Sequence, residues 1–208
     1  MDLPVFALHT VAFPGLPLGL RVFEPRYLAL LEDVGLHDGF VVAAIAEGRE
    51  VAGPATPFRV GVEVRIAADE TDDDGSHRLS VVGHERVALI EPIATDRPYP
   101  IWRVEPYPDE GGAGTDDVEA ATAALRDYLE ATGEEDLRPA LPHDPVGASW
   151  ALAAATPGLV AARQALLETP GAGERLRMAR ETLRREARLV RALGAGPAGN
   201  AGFAISPN

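Results

Sequence analysis

The chain contains no cysteine among its 208 residues. Disulfides, thiolate zinc sites, iron–sulfur clusters and a cysteine nucleophile are therefore excluded. It also contains no lysine, so all 19 basic residues are arginine. This second absence excludes a Walker lysine, a Schiff-base lysine and a Ser–Lys dyad. We therefore predict that the protein is not an enzyme, that it has no catalytic residues and that it binds no metal or cofactor.

Long apolar runs are missing as well. None approaches the ~18 residues that a membrane-spanning helix needs, and the first residues lack the basic region and apolar core of a signal peptide. We therefore predict a cytoplasmic protein without a membrane partner. The formal net charge of −13 disfavours nucleic acid as a partner. A hydrophobic content of 46% indicates a globular chain.

The first half of the chain has the pattern of short strands separated by glycine and proline. The regularly spaced turn residues indicate a curved sheet or a small barrel. Valines alternate with polar residues most clearly over 58–66, which predicts a half-buried strand. The predicted strands are Leu3–His9, Phe40–Ala46, Phe58–Ile66, Arg78–Gly83, Val87–Ile93 and Ile101–Glu105.

The second half has helical spacing after a Pro-, Gly- and Asp-rich linker over 106–115. Thr115 or Asp116 is predicted to cap the first helix, which ends at Gly133, and Asp144-Pro145 is predicted to start the second. Two further helices are predicted over 159–168 and 174–193. We therefore predict a β-barrel subdomain over 1–108, a helical bundle over 109–193 and a flexible tail over 194–208.

The stretch from Phe13 to Tyr27 organises the first half. A Phe-Pro-Gly turn leads into a short apolar strand, which ends where Phe23-Glu24-Pro25 begins a helix. Pro25 suits the first helical position because its fixed φ matches a helix and no N–H is lost there. Glu24 is placed at the helix N-terminus, where the helix dipole favours a carboxylate.

Several motifs together carry a resemblance to a known family. They are Leu3-Pro4-Val5-Phe6 with Leu8, Phe13-Pro14-Gly15 with Pro17-Leu18, Phe23-Glu24-Pro25-Arg26-Tyr27, Gly61 with Val64, Leu79-Ser80-Val81-Val82-Gly83 with Arg86, Pro98-Tyr99 with Val104, and in the helical half 163–168 with Arg175-Leu176. On these residues the chain resembles the N-terminal, substrate-binding domain of Lon proteases over about Leu3 to Leu193.

The resemblance implies an α+β fold, in which a PUA-like β pseudo-barrel is followed by a C-terminal α-helical bundle. It also implies a free-standing, non-catalytic module that binds unfolded or degron-bearing polypeptide, as an adaptor or holdase. The oligomeric state stays open. An RNA-binding PUA-like protein and a hydrolase of unrecognised type are the alternative functions.

The candidate binding residues gather around the motifs. Glu24 and Arg26 either recognise a peptide or form a cap and ion pair that hold the strand-to-helix turn, and the second interpretation is favoured. The aromatic side chains belong to the core, or a few of them line a groove for an apolar segment. An exposed sheet edge offers another way to bind a peptide strand. The predicted binding residues are Phe13, Phe23, Glu24, Arg26, Tyr27, Tyr99 and Trp102.

Two charged segments carry further alternatives. The acidic run over 69–77 is a hairpin turn ending in Asp-Gly or a calcium loop; the turn is favoured because the twelfth loop position would be Val81. The last predicted helix carries seven arginines, whereas 105–136 holds eleven acidic residues and one arginine. Charge pairing within the protein is therefore favoured over RNA binding.

Overall fold

A computed structural model describes residues 1–34, 39–48 and 55–194. Across those residues there are seven strands and five helices, which confirms the predicted α+β class. They form two compact units, residues 1–108 and residues 109–194. The elements are β1 (Asp2–Leu8), β2 (Pro17–Val22), α1 (Pro25–Asp33), β3 (Phe40–Gly48), β4 (Ala55–Pro57), β5 (Val60–Thr71), β6 (His77–Ile93), β7 (Ile101–Pro106), α2 (Thr115–Thr132), α3 (Pro145–Ala154), α4 (Val160–Glu168) and α5 (Ala172–Leu193).

Five strands of the first unit pair in a closed ring. The ring runs β1–β7–β6–β5–β3 and closes because β3 also pairs in parallel with β1, while the other pairs are antiparallel. β2 pairs with β6 outside the ring, and β4 extends from β3. Valine and leucine side chains of β1, β3, β6 and β7 form a buried cluster that includes Val5, Val41, Val87, Leu89 and Val104. The predicted barrel is therefore present as a closed sheet.

One predicted break in the sheet is wrong. We predicted two strands separated at Gly83–Arg86, but β6 is one strand from His77 to Ile93, and only its pairing register with β5 shifts between Gly83 and Arg86. Gly83 is required for another reason, because a Cβ there would collide with the Phe13 carbonyl group. The N–H of Gly83 donates to the Leu16 carbonyl at 3.0 Å, and the N–H of Gly15 donates to the Gly83 carbonyl at 2.9 Å. The glycine therefore lets the Phe-Pro-Gly turn approach β6 closely.

The acidic segment connects β5 to β6 as a hairpin turn. The N–H of Asp72 donates to the Ser76 carbonyl at 2.8 Å, and the N–H of Gly75 donates to the Asp72 carbonyl at 2.9 Å. Gly75 has a φ of 78°, a conformation that glycine adopts without strain. Asp74 accepts from the Ser76 hydroxyl at 2.6 Å. The hairpin interpretation of this segment is confirmed.

α1 packs one face on the barrel. Tyr27 and Leu30 are buried, and the Tyr27 ring lies 4.0 Å from the Phe6 ring between centroids. The helix ends at Asp33 with Val34 as its C-cap. The glycine at position 35 predicts the end of this helix, and that residue lies outside the described residues.

The helical unit begins with a cap that differs from the prediction. Gly114, and not Thr115 or Asp116, is the N-cap of α2, and its N–H donates to the Asp117 carboxylate at 3.1 Å. Gly133 ends α2 in a left-handed conformation, as predicted. The predicted Asp144 cap of α3 is confirmed, because its carboxylate accepts from the Gly147 N–H at 2.6 Å.

α2, α3 and α5 share one apolar core. Their buried side chains include Leu125, Leu129, Leu152, Leu176 and Leu183. α5 starts at Ala172, two residues before the predicted Glu174, because Gly171 serves as its N-cap. The predicted flexible tail lies outside the described residues apart from Gly194.

Candidate functional site

The corner between β2 and α1 brings three of the predicted binding residues together. Glu24 is the N-cap residue, and its carbonyl accepts from the N–H groups of Tyr27 and Leu28 at 2.9 and 3.0 Å. Its carboxylate makes no capping hydrogen bond, which corrects the predicted cap. The carboxylate instead pairs with Arg26 at 3.1 Å, and the Arg26 guanidinium lies 4.5 Å from the centre of the Tyr27 ring.

Phe23 precedes this corner and is the most exposed aromatic of the predicted set. Its relative exposure is 43%, whereas Phe13, Tyr27 and Tyr99 are buried. A half-exposed phenylalanine is an apolar contact surface available to a partner. Phe23 is therefore the predicted aromatic whose ring a ligand can reach directly, and the buried three hold the surrounding backbone.

Tyr99 binds the end of α1. Its hydroxyl donates to the Asp33 carboxylate at 2.7 Å, and Arg97 pairs with the same carboxylate. The Tyr99 hydrogen bond and Arg97 hold the pKa of Asp33 below its usual range. Burial raises the pKa of Tyr99, and the negative Asp33 raises it further. This cluster fastens the segment before β7 to α1.

Trp102 lies on β7, opposite Leu3 of β1 and Pro92 of β6. It is partly buried and packs on the buried cluster of the ring. The Arg59 guanidinium lies 5.9 Å from the ring centre. Trp102 therefore contacts the strand ring and Arg59, whereas Glu24, Arg26 and Tyr27 contact one another.

Phe13 is the first residue of a tight turn. The Leu16 N–H donates to the Phe13 carbonyl at 3.3 Å, and Gly15 has a φ of 74°. These features are typical of a type II turn, with Pro14 and Gly15 at the central positions that favour them. The Phe-Pro-Gly motif therefore positions the start of β2.

β2 has one paired edge and one edge without a partner strand among the described residues. It pairs with β6 from Pro17 opposite Val82 to Val22 opposite His77. The hydrogen bond from Gly83 N–H to the Leu16 carbonyl sets the alternation of an antiparallel pair. By that alternation, the backbone groups of Pro17, Gly19 and Arg21 point away from β6.

This outer edge of β2 has residue types that discourage pairing with strands of other molecules. Pro17 has no N–H to donate, and Arg21 is an exposed charged side chain, two features common on sheet edges. Gly19 and Arg21 still supply N–H and carbonyl groups. The edge therefore offers a short ladder of backbone hydrogen bonds that leads directly to Phe23.

The arginines of α5 are largely engaged within the helical unit. Arg191 pairs with Asp127 at 2.7 Å, and Arg177 pairs with Glu174 and Glu181 at 2.5 and 2.7 Å. Asp127 lies in the acidic segment over 105–136. The predicted charge pairing within the protein is confirmed for these residues.

Arg175 does not belong to the exposed surface of α5. It is fully buried at 0% exposure, and its guanidinium lies 3.1 Å from the centre of the Trp150 ring. It donates to the Asp109 carboxylate and the Ser149 hydroxyl, both at 2.5 Å, and to the Thr169 carbonyl at 3.1 Å. Arg175 therefore joins the start of the unit to α3 and α5.

The hydroxyl groups of two serines form hydrogen bonds that stabilise local structure. Ser149 donates to the Val146 carbonyl at 2.6 Å, and Ser76 donates to Asp74. Over the ranges 1–34, 39–48 and 55–194, no three His, Asp or Glu side chains are grouped so that they could hold a metal ion. Among the described helices, none combines the length and the apolar character needed to cross a lipid bilayer.

The described residues thus form a closed strand ring and, later in the chain, a separate helical unit. The chain matches the family model described as "ATP-dependent protease La (LON) substrate-binding domain" over residues 2–185. It therefore belongs to the Lon substrate-binding domain family, and the resemblance drawn from its motifs is confirmed.

Solved structures agree with this assignment. A Lon N-terminal domain protein from Xanthomonas campestris is 28% identical, with a TM-score of 0.64 over 95% of this chain and 99% of that one. The N-terminal domain of a Mycobacterium avium complex Lon protease has the same fold, with a TM-score of 0.63, 20% identity, and coverage of 88% and 98%. A comparison with curated proteins finds no match.

Sequence reasoning missed two features of the molecule. The unpaired edge of β2 depends on which strand pairs with which, and no local pattern reports that. The burial of Arg175 had a signal, because Ala172, Arg175, Leu176 and Ala179 lie on one helical stripe whose other members are apolar.

Proposed function

We propose that this protein is a non-catalytic module that binds unfolded or degron-bearing polypeptide in the cytoplasm, as an adaptor or holdase. The outer edge of β2 is the observation that carries the proposal. An extended peptide adds to a sheet edge through backbone hydrogen bonds, which every polypeptide supplies. Such binding suits ligands of varied sequence because the backbone is common to all of them.

The Phe23 side chain supplies the apolar part of the site. It follows Val22, the last residue of β2, so a peptide strand that pairs with Gly19 and Arg21 continues toward the ring. Exposed apolar side chains are characteristic of unfolded chains, and burial of such surface favours binding. Glu24 and Arg26 hold the corner, while Tyr27, Tyr99, Phe13 and Trp102 support the surrounding barrel.

The proposal also assigns the two units different tasks. We propose that the barrel subdomain, residues 1–108, carries the strand-addition site, and that the helical subdomain from residue 109 contributes separate side-chain contacts. This division follows the two compact units of the described chain.

Binding is tested with a permanently unfolded, fluorescently labelled polypeptide and the full chain. We expect saturable binding that a folded control protein does not show. Phe23→Ser weakens binding about tenfold, because roughly 1–2 kcal/mol of apolar contact is lost. Ile90→Ser is the matched control, since Ile90 has the same 43% exposure at another place on the barrel. Equal weakening by both variants, or no binding, would contradict the proposal.

The role of the strand edge has its own variant. Arg21→Pro removes an N–H that points away from β6 and leaves the ladder to β6 intact. We expect weaker polypeptide binding, whereas Arg21→Ala keeps the N–H and retains binding. Mass spectrometry of the bound peptide tests the hydrolase alternative, because a hydrolase would cleave the peptide. A labelled RNA in the same binding assay tests the RNA-binding alternative.

A further inference from the structure

A cleft of 280 Å³ lies in the helical unit where the first turn of α2 meets the first half of α5. Its lining residues are Asp117, Gly173, Glu174, Leu176, Arg177 and Arg180. Two carboxylates and two guanidinium groups therefore face one small space, together with the edge of a buried leucine.

Three of these four charges are already bound within the protein. Asp117 accepts the hydrogen bond from the Gly114 N–H at 3.1 Å, which caps α2. Glu174 pairs with Arg177, and Arg177 also pairs with Glu181. The pKa of Glu174 lies below its usual range because Arg177 donates to it, so the pair stays ionised at neutral pH.

Arg180 differs from its neighbours. Within the described residues its guanidinium has no hydrogen-bond or ion-pair partner, and its Nε is buried without an acceptor. A guanidinium group has five N–H donors in a planar fork. A buried guanidinium nitrogen without an acceptor is unusual, because buried polar groups almost always have partners.

The position of Arg180 on α5 directs it toward the cleft. Gly173, Arg177 and Arg180 are spaced by four and three residues, so they share one helical face. Side chains on a helix lean toward its N-terminus. The Arg180 side chain therefore extends back over the Gly173–Arg177 turn, where the cleft lies.

We propose that this cleft binds a carboxylate of a polypeptide ligand, held end-on by the terminal nitrogens of Arg180. Carboxylate and guanidinium form two parallel hydrogen bonds, which gives the pair its specificity. A phosphate fits less well, because its second negative charge would lie close to Asp117 and Glu174. The ligand class rests on the proposed function, but the site is independent of the β2 edge.

The test uses short peptides and the full-length protein labelled with ¹⁵N. Acetyl-Ala-Ala-Ala with a free C-terminus, acetyl-Ala-Glu-Ala amide and acetyl-Ala-Ala-Ala amide are titrated, and the Arg180 Nε–Hε signal is followed by NMR. We expect saturable shifts with at least one carboxylate peptide and none with the neutral amide. The free-acid and glutamate peptides distinguish a C-terminal carboxylate from an acidic side chain.

Variants decide whether Arg180 is responsible. Arg180→Gln and Arg180→Lys each weaken carboxylate binding about tenfold, because lysine keeps the charge but lacks the two-donor fork. Arg188→Gln is the matched control, since it removes one exposed arginine from the same helix. Because the Arg180 variants lack the Nε–Hε group, binding in all of these variants is followed by the backbone amide signals of the cleft. Unchanged binding in Arg180→Gln, equal shifts with the neutral amide, or tighter binding of inorganic phosphate would overturn the proposal.

The outcome is separable from that of the proposed function. Phe23→Ser leaves the Arg180 site untouched, and Arg180→Gln leaves the β2 edge untouched. If the unchanged protein binds an unfolded polypeptide but none of the carboxylate peptides, only the cleft proposal is overturned.

Discussion

The two units differ in the kind of chemistry that they leave available to a partner. In the barrel, β2 turns backbone N–H and carbonyl groups outward, because a strand satisfies its hydrogen bonds only through neighbouring strands. In the helical unit, each helix satisfies its own backbone along its length. Between the helix ends, the surface that the helical unit offers to a partner therefore consists of side chains, such as that of Arg180.

This difference has a functional meaning. Backbone recognition is nearly independent of ligand sequence, whereas a guanidinium recognises one chemical group. A module that combines both can accept many extended chains and still prefer those with a carboxylate in the right place. The same contrast predicts that the helical unit depends on side-chain partners for stability, and that the barrel depends on close backbone approach.

The largest expected effect is at Arg175. Arg175→Met should lower the free energy of unfolding by about 3–5 kcal/mol, because it removes one partner of a buried network and leaves Ser149 and backbone carbonyls without their donor. Each unit contains one tryptophan, Trp102 or Trp150. Urea unfolding in a Trp102→Phe background therefore reports on the helical unit.

The control for this change is Arg188→Met, which alters an exposed arginine on the same helix. We expect a change within about 0.5 kcal/mol. If both variants lose the same stability, the helical unit does not depend on its buried arginine, and the contrast between the units fails.

The next largest effect is at Gly83. Gly83→Ala should lower the free energy of unfolding by about 2–3 kcal/mol, because the new Cβ would collide with the Phe13 carbonyl. The matched control is Gly112→Ala in the helical unit, where a Cβ meets no atom within 4 Å, and its unfolding is followed in a Trp102→Phe background. Urea unfolding in a Trp150→Phe background measures the barrel, and an unaffected Gly83→Ala variant would disprove the close approach.

A smaller change in the free energy of unfolding is expected at the Asp33–Tyr99 cluster when the pH is varied. The pKa of Asp33 is lowered in the folded state, so its stabilising contribution is present above about pH 4 and is lost as pH falls through the lowered pKa. Asp33→Asn should reduce the loss of stability in acid. The pKa of Tyr99 is raised in the folded state, so the pH dependence is reversed. Its contribution to the free energy of unfolding is present below about pH 10 and is lost as pH rises.

This pH dependence is measured by urea unfolding between pH 2 and 7 for the acidic limb and above pH 9 for the alkaline one. Tyr99→Phe should remove the cluster's part of the alkaline loss. Asp73→Asn is the control, because Asp73 is an exposed carboxylate of the hairpin. An equal change in Asp33→Asn and Asp73→Asn would show that net charge alone governs the acid limb.

The smallest effect on stability is expected for the exposed apolar residues. Phe23→Ser in the barrel and Leu159→Ser, at 84% exposure in the helical unit, should each change the free energy of unfolding by about 0.5 kcal/mol or less. Only Phe23→Ser should weaken binding of an unfolded polypeptide. Weakening by Leu159→Ser would show that the helical unit also binds apolar segments.

Much of the fold was predictable where the signal is local. Pro25 at the first position of α1, Asp144 before α3 and Gly133 after α2 follow from backbone constraints that act within a few residues. The continuity of β6 was missed because Gly83 was interpreted as a break. A glycine is also needed where a distant backbone approaches, and only the folded chain reveals that neighbour.

The candidate site was predictable only in part. Glu24 and Arg26 are two residues apart, so their ion pair could be inferred from the sequence. Phe23 and Tyr27 belong to one motif, yet one ring is exposed and the other buried. The difference depends on which side of the corner faces the barrel, which no residue pattern within the motif specifies.

The amino-acid sequence by itself determined the excluded chemistries, the strand-rich and helical halves, the Asp144 cap of α3, the Gly133 end of α2, the hairpin at Asp72–Ser76 and the family. All of these depend on residue types or on neighbours a few positions apart. Within the described residues, the tertiary structure decided the closure of the strand ring, the absence of a partner strand on the outer edge of β2, the burial of Arg175 and the lack of an acceptor at the Arg180 Nε. These depend on contacts between residues far apart in the chain, which form only when the core excludes water and fixes the neighbours of each side chain.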